Sequence, residues 1–154
     1  MAGPFVRSTT SGRSTRHRAR EAALQILYLW EVGGTDVVQA AETFFGEQWP
    51  GDRGAPEALR TFATDLACQT VMALPAIDPL IAETAEHWRP ERMAVLDRLI
   101  LRLGVGELLQ SKDTPAPVII NEALELARTF SDDDAVRFIN GMLDGVRKRL
   151  AERG

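Results

Sequence analysis

Apolar residues recur at three- and four-residue intervals along almost the whole chain, and no stretch alternates apolar with polar at period two. That periodicity restricts the chain to helices packed on helices. Ala23, Ile26, Leu27 and Trp30 form the first stripe, and Gly33-Gly34 supplies its C-terminal stop. A second helix is expected from Thr35 or Asp36 to Gln48, with Val38, Ala41 and Phe45 inward, before the loop Trp49-Pro50-Gly51-Asp52-Arg53-Gly54. Pro56 suits a first helical position, and Leu59, Phe62, Ala63, Leu66, Thr70 and Leu74 mark a third helix that Pro75 ends. Asp78-Pro79 reads as the cap and start of a fourth helix toward Trp88, and Arg89-Pro90 breaks the chain again.

The fifth helix, 91–111, has Met93, Leu96, Leu99, Ile100 and Leu103 as its stripe. Pro115 and Pro117 separate it from a sixth, 118–130, carrying Ile120, Ala123, Leu124 and Ala127. The run Asp132-Asp133-Asp134 caps a seventh, with Ala135, Phe138, Ile139, Met142, Val146 and Leu150 on its stripe. The pattern predicts an all-α protein of about seven helices. At 154 residues a single domain, 15–154, is expected, preceded by a disordered basic arm over 1–14 that is rich in Ser, Thr, Gly and Arg.

The single cysteine, Cys68, excludes an internal disulfide framework, and its apolar neighbours suggest an inert, buried thiol in a reducing cytosol. Uninterrupted apolar stretches fall short of the ~20 residues of a bilayer span, which argues against a membrane helix. Gln25 and Glu31 interrupt the apolar segment behind the N-terminal arginines, which defeats the signal-peptide pattern, so a cytoplasmic protein is expected.

Charge is segregated. Arg7, Arg13, Arg16, Arg18 and Arg20 stand in the first twenty positions with no acidic residue, while all 22 Asp and Glu follow and set the net charge of −4. Arg16 and Arg20 are like charges at i,i+4, unfavourable by about 0.2–0.5 kcal/mol, and cations in a first turn oppose the helix dipole by about 0.3–1 kcal/mol each. A phosphate backbone would favour them, since guanidinium forks pair with phosphate and a helix N-terminus adds positive potential. The competing explanation is a basic tail that is solvated or pairs with the acidic body. Tyr28, two turns along from Arg20, is a candidate for stacking on a base or for ordinary packing.

Asp97, Arg98 and Arg102 interrupt the apolar fifth helix, which calls for an internal ion pair, such as Arg102 with Glu122 or Asp97, or for a protein-binding face. Gly141 and Gly145 weaken the seventh helix and suggest close packing there. His17 and His87 are far apart, and HExxH, CxxC, a glycine-rich phosphate loop and a nucleophile elbow are all missing from the sequence. The Asp triplet lacks the spaced donors of a calcium loop. These patterns point away from an enzyme and call for no metal and no cofactor.

Two segments carry a resemblance: Arg16-His17-Arg18-Ala19-Arg20-Glu21 with Ala23, Gln25, Leu27, Tyr28 and Trp30, and a block from Trp88 to Leu143. The block includes Asp97-Arg98, Ile100-Leu101-Arg102, Glu107-Leu108, Ile120-Asn121-Glu122-Ala123 and Phe138-Ile139-Asn140-Gly141. In order and spacing they resemble the NusB family of bacterial transcription antitermination factors. The resemblance implies two small helical bundles packed together, a domain that binds single-stranded boxA RNA of ribosomal RNA leaders. It implies partnership with NusE, a ribosomal small-subunit protein, within the RNA polymerase antitermination complex.

Carried onto this chain, the RNA contacts are Arg13, Arg16, His17, Arg18 and Arg20, joined by Asp134 and Phe138 at the start of the last helix, and the NusE surface includes Tyr28 and Asp97. Self-association as a homodimer through the RNA-binding face is also consistent with it. Gly104-Val105-Gly106 departs from the bulkier residues usual in the family. The alternative from another class is a non-catalytic helical interaction module whose arginines bind an acidic protein.

Overall fold

The computed structural model describes residues 14–153. Among them are six α-helices and no strand: α1 (Thr15–Gly33), α2 (Val37–Thr43), α3 (Glu57–Thr84), α4 (Val95–Gln110), α5 (Ala116–Phe130) and α6 (Asp133–Arg153). A π-helical turn, Phe44–Gln48, follows α2, and a 3-10 turn, Pro90–Arg92, precedes α4. The all-α expectation is met, with six helices in place of about seven. Of the arm expected over 1–14, residues 1–13 lie outside the described residues and Ser14 is the N-cap of α1. The chain divides into two compact units between Cys68 and Gln69, a boundary that falls inside α3.

In the first unit, local chemistry sets the ends of α1. The Ser14 hydroxyl accepts a hydrogen bond from the His17 amide at 3.0 Å, and Gly34 closes the helix at φ 70°, a left-handed conformation, with its N–H donated to the Trp30 carbonyl. Asp36 caps α2 by accepting from the amides of Val38 and Gln39. Ala19, Ala22, Ala23, Leu24, Ile26 and Leu27 are buried along α1, and Phe44, Leu59 and Ala63 join the core. Val38, expected inward, is 48% exposed. The wider π turn, with one residue more per turn than an α-helix, brings Phe44, Phe45 and Trp49 together at centroid distances of 5.0, 6.2 and 5.8 Å. Cys68 is half-buried rather than buried, and its thiol pKa is pushed up by burial and then by the carboxylates of Asp65 and Asp36.

The third and fourth expected helices are one helix, α3, with Pro75 and Pro79 inside it. Each proline removes one i to i−4 hydrogen bond and is unfavourable by about 3 kcal/mol in a helix interior. Burial of Ile77, Leu80 and Ile81 around them offsets much of that, at about 1.5–3 kcal/mol per large side chain. The continuous helix also overturns the argument against a membrane-length segment: a window of α3 has mean hydropathy 1.2, and 33% of it is buried inside the protein. A core helix satisfies the same length and composition, and the buried positions Leu59, Ala63, Leu66, Ala67, Ile77, Leu80 and Ile81 are those of a core helix.

In the second unit α4, α5 and α6 pack on one another. Leu99, Ile100, Leu103, Ile119, Leu126, Ile139, Leu143 and Val146 fill the space between them. Gly104 permits the close approach: a Cβ there would meet the Leu143 methyls at 3.0 and 3.1 Å and Ala123 at 3.5 Å. Gly106 is similarly tight against Ile77 at 3.3 Å. Of the two glycines expected to permit packing on the last helix, only Gly145 does so: a Cβ there would meet Thr84 Cγ2 at 2.6 Å, whereas a Cβ at Gly141 would meet no other side chain within 4 Å. Asp132 caps α6 by accepting from the Ala135 amide at 2.8 Å. Further along α6, hydrogen bonds from Arg147 and Lys148 hold the Asp144 carboxyl below the usual carboxylate range.

Candidate nucleic-acid interface

The arginine segment occupies the first turns of α1, in the first unit. Arg16 is exposed and sets its guanidinium over the Phe62 ring at 4.1 Å; Arg20, one turn on, approaches the same ring at 5.5 Å but is only 3% exposed. Arg18 is half-buried, lies 5.3 Å from the centre of the Trp49 ring, and its buried Nε has no hydrogen-bond partner among the described residues. His17 is 5% exposed and pairs with Glu21 at 3.3 Å. Arg13 lies outside the described residues.

These contacts answer the electrostatic difficulty posed by the sequence. Each cation–π contact is worth about 0.5–1 kcal/mol at an exposed site, the same size as the dipole and like-charge penalties. At Arg16 and Arg18 the rings therefore offset much of that cost without an ion pair among the described residues. A guanidinium that meets a ring through its face keeps its N–H edge free to donate, and of Arg16, Arg18 and Arg20 only Arg16 is exposed.

Arg16 lines a groove of about 570 Å³ with Thr15, Thr61 and Phe62 and with the acidic Glu57 and Asp65. Neither carboxylate pairs with it among the described residues. The positive end of α1 thus retains one exposed guanidinium and one half-exposed one, while His17 and Arg20 are turned into the protein. Tyr28, further along α1, is half-buried.

The remaining candidates belong to the second unit. Asp134 is exposed in the first turn of α6 and pairs with Arg137. Phe138, one turn on, was placed by periodicity on the core stripe, yet it is 41% exposed. Its ring borders a groove of about 460 Å³ with His87, Trp88, Arg89, Arg92 and Met93. Trp88 donates its indole N–H to Met93 Sδ at 3.2 Å, which fixes the ring. Asp97, in the first turn of α4, accepts a short hydrogen bond from the Ser131 hydroxyl, an anchor from the end of α5. Arg98 donates to the carbonyls of Pro90 and Met93, and Arg102 forms a two-pronged pair with Asp78 at 3.0 and 2.8 Å.

Sequence reasoning missed Phe62, Trp49, Trp88 and Asp78. Periodicity and turn signals put Phe62 on a core stripe, Trp49 in a loop and Asp78 at a helix cap. The available signal for Phe62 was the unfavourable Arg16–Arg20 spacing itself, which calls for a π partner as readily as for an anion.

The chain matches the NusB family over residues 17–148. It is 45% identical to the transcription antitermination protein NusB of Solibacter usitatus, over 90% of this chain and 92% of that protein. It is 44% identical to the protein of the same name from Koribacter versatilis, over 90% and 93%. A solved structure of NusB from T. maritima is 31% identical, with a TM-score of 0.76 over 88% of this chain and 92% of that one. A chain in the solved structure of antitermination factors NusB and NusE in complex with dsRNA, 24% identical, shares the fold at a TM-score of 0.74, over 88% of this chain and 97% of that one. Matching over this length, at this identity to its relatives, makes the chain a member of the NusB family.

Proposed function

We propose that this chain is a non-catalytic RNA-binding transcription antitermination factor. It binds boxA-type single-stranded RNA of ribosomal RNA leaders together with NusE, joins the RNA polymerase antitermination complex and supports processive rRNA transcription in the cytoplasm. Its relatives in Solibacter usitatus and Koribacter versatilis are named transcription antitermination proteins, which supports the antitermination part of this reading. The observation that carries the reading is the pair Arg16 and Arg18: two guanidiniums at the positive end of α1, each backed by an aromatic ring and neither ion-paired among the described residues.

In this reading Arg16 and Arg18 reach phosphate oxygens with their edges. His17 and Arg20, covered in the free protein, belong to the same motif and hold its geometry, and Arg13 joins the set from the sequence alone. Asp134 and Phe138 form a second contact region, where an exposed ring among His87, Arg89 and Arg92 suits a base stacked beside its phosphate. Tyr28 and Asp97 face NusE.

Fluorescence anisotropy with a labelled boxA-type RNA and a scrambled control tests this. Arg16→Glu with Arg18→Glu is expected to weaken binding more than tenfold with unchanged helical circular dichroism. Each phosphate contact contributes about −0.7 to the slope of log affinity against log salt. Added NusE is expected to tighten the wild-type complex. Equal affinity for both RNAs, or undiminished binding by the double variant, rejects the reading, and absence of any RNA signal at low salt favours an acidic protein as the ligand of the arginines.

A further inference from the structure

The first unit carries one more arginine built like the two just described. Arg60 stands in the first turn of α3, exposed, where a cation works against the helix dipole. Its guanidinium lies 5.6 Å from the centre of the Phe45 ring. It forms no ion pair among the described residues, although the exposed Glu42 lines the same hollow.

The ring beneath it is not isolated. Phe45 touches Trp49 at 5.8 Å, and Trp49 backs Arg18 at 5.3 Å, so Arg18 and Arg60 are tied by two adjoining aromatic rings presented by the π turn and the residue after it. Beside Arg60 is a hollow of about 430 Å³ whose wall includes Phe45 and Val38. Pockets that take small organic groups start at about 300 Å³, so a nucleobase fits such a space.

We propose that Arg60 is a further RNA contact of this protein, binding a phosphate of the strand held at Arg16 and Arg18, with Phe45 as its positioning ring. This rests on the RNA-binding reading given above. At all three positions the guanidinium carbon lies 4.1–5.6 Å from the centre of a ring, and a guanidinium that meets a ring through its face keeps an N–H edge for a phosphate oxygen. A side chain already held on a ring also loses less freedom when it binds.

The experiment is a salt titration of boxA-type RNA binding to the full chain, comparing wild type, Arg60→Ala, Arg60→Lys and the Arg16→Glu, Arg18→Glu double variant, with circular dichroism as the check on folding. Because Arg60 is exposed, its variants are expected to fold. Arg60→Ala is expected to reduce the steepness of the salt dependence by about 0.7, which near 0.1 M salt corresponds to roughly fivefold weaker binding. Arg60→Lys keeps the charge and is expected to recover the wild-type slope, with only part of the affinity because an ammonium stacks less well. If Arg60→Ala binds with wild-type affinity and slope while the double variant loses binding, the proposal for Arg60 is overturned and the RNA reading stands. If the double variant also binds as wild type does, the RNA reading itself fails and takes Arg60 with it.

Discussion

Arg102 and Asp78 show how a charged residue in an apolar helix comes to be tolerated. The Arg102 side chain is 11% exposed and that of Asp78 33%, and two parallel N–H to oxygen bonds join them. Breaking a fully buried pair is unfavourable by about 3–5 kcal/mol because the surviving charge is stranded. Water reaches Asp78, so Asp78→Ala is expected to destabilise the protein by about 2–3 kcal/mol, read as a fall in the urea midpoint with little change in slope. A loss below about 0.5 kcal/mol would show that this pair adds little to the fold. The sequence called for an ion pair at Arg102 and offered Glu122 or Asp97 as its acid, without Asp78. Asp78 was hidden because Asp followed by Pro is ordinarily a helix start, so it was assigned to a cap. Similarly, Phe62 could be read as apolar but not as the common platform of Arg16 and Arg20, since that depends on how α3 packs against α1.

At the level of elements, the helices whose ends carry their own chemistry were legible. Gly34 in the left-handed conformation, Asp36 on α2 and Asp132 on α6 act where the sequence placed stop and start signals. The errors came from tertiary packing overriding local preference. Pro75 and Pro79 break a helix in isolation, yet α3 runs through both, because the apolar side chains Ile77, Leu80 and Ile81 are buried between and after them. The π turn was invisible for a related reason: its extra residue is set by the packing of Phe44, Phe45 and Trp49. Since Pro79 already sits in a helix, Pro79→Ala is expected to restore a backbone donor without strain and to stabilise by about 1–3 kcal/mol, raising Tm by several degrees. An unchanged or lower Tm would mean that α3 needs its interruption at this point, through a bend to which the surrounding side chains are fitted.

For the molecule as a whole, charge is divided between a few arginines at the start of α1, the proposed RNA contacts, and carboxylates that outnumber them. The net charge is −4 and the isoelectric point about 5.2. A polyanion approaching from afar is therefore repelled by the total charge and attracted only within about a Debye length of the arginine end, some 10 Å at 0.1 M salt. That arrangement discourages indiscriminate binding while leaving close contacts intact. It separates rate from grip: the total charge acts on the encounter, and guanidinium–phosphate bonds act on release. Lowering pH from 7.5 to 5.5 brings the protein toward its isoelectric point while arginine stays fully charged, so the long-range repulsion fades and the short-range contacts do not. Stopped-flow mixing with boxA-type RNA at low salt is thus expected to give an association rate severalfold higher at pH 5.5, a dissociation rate changed less than twofold, and loss of the rate difference at about 0.5 M salt. A pH effect confined to dissociation would instead show that the total charge does not govern the encounter, and the separation of rate from grip would fail.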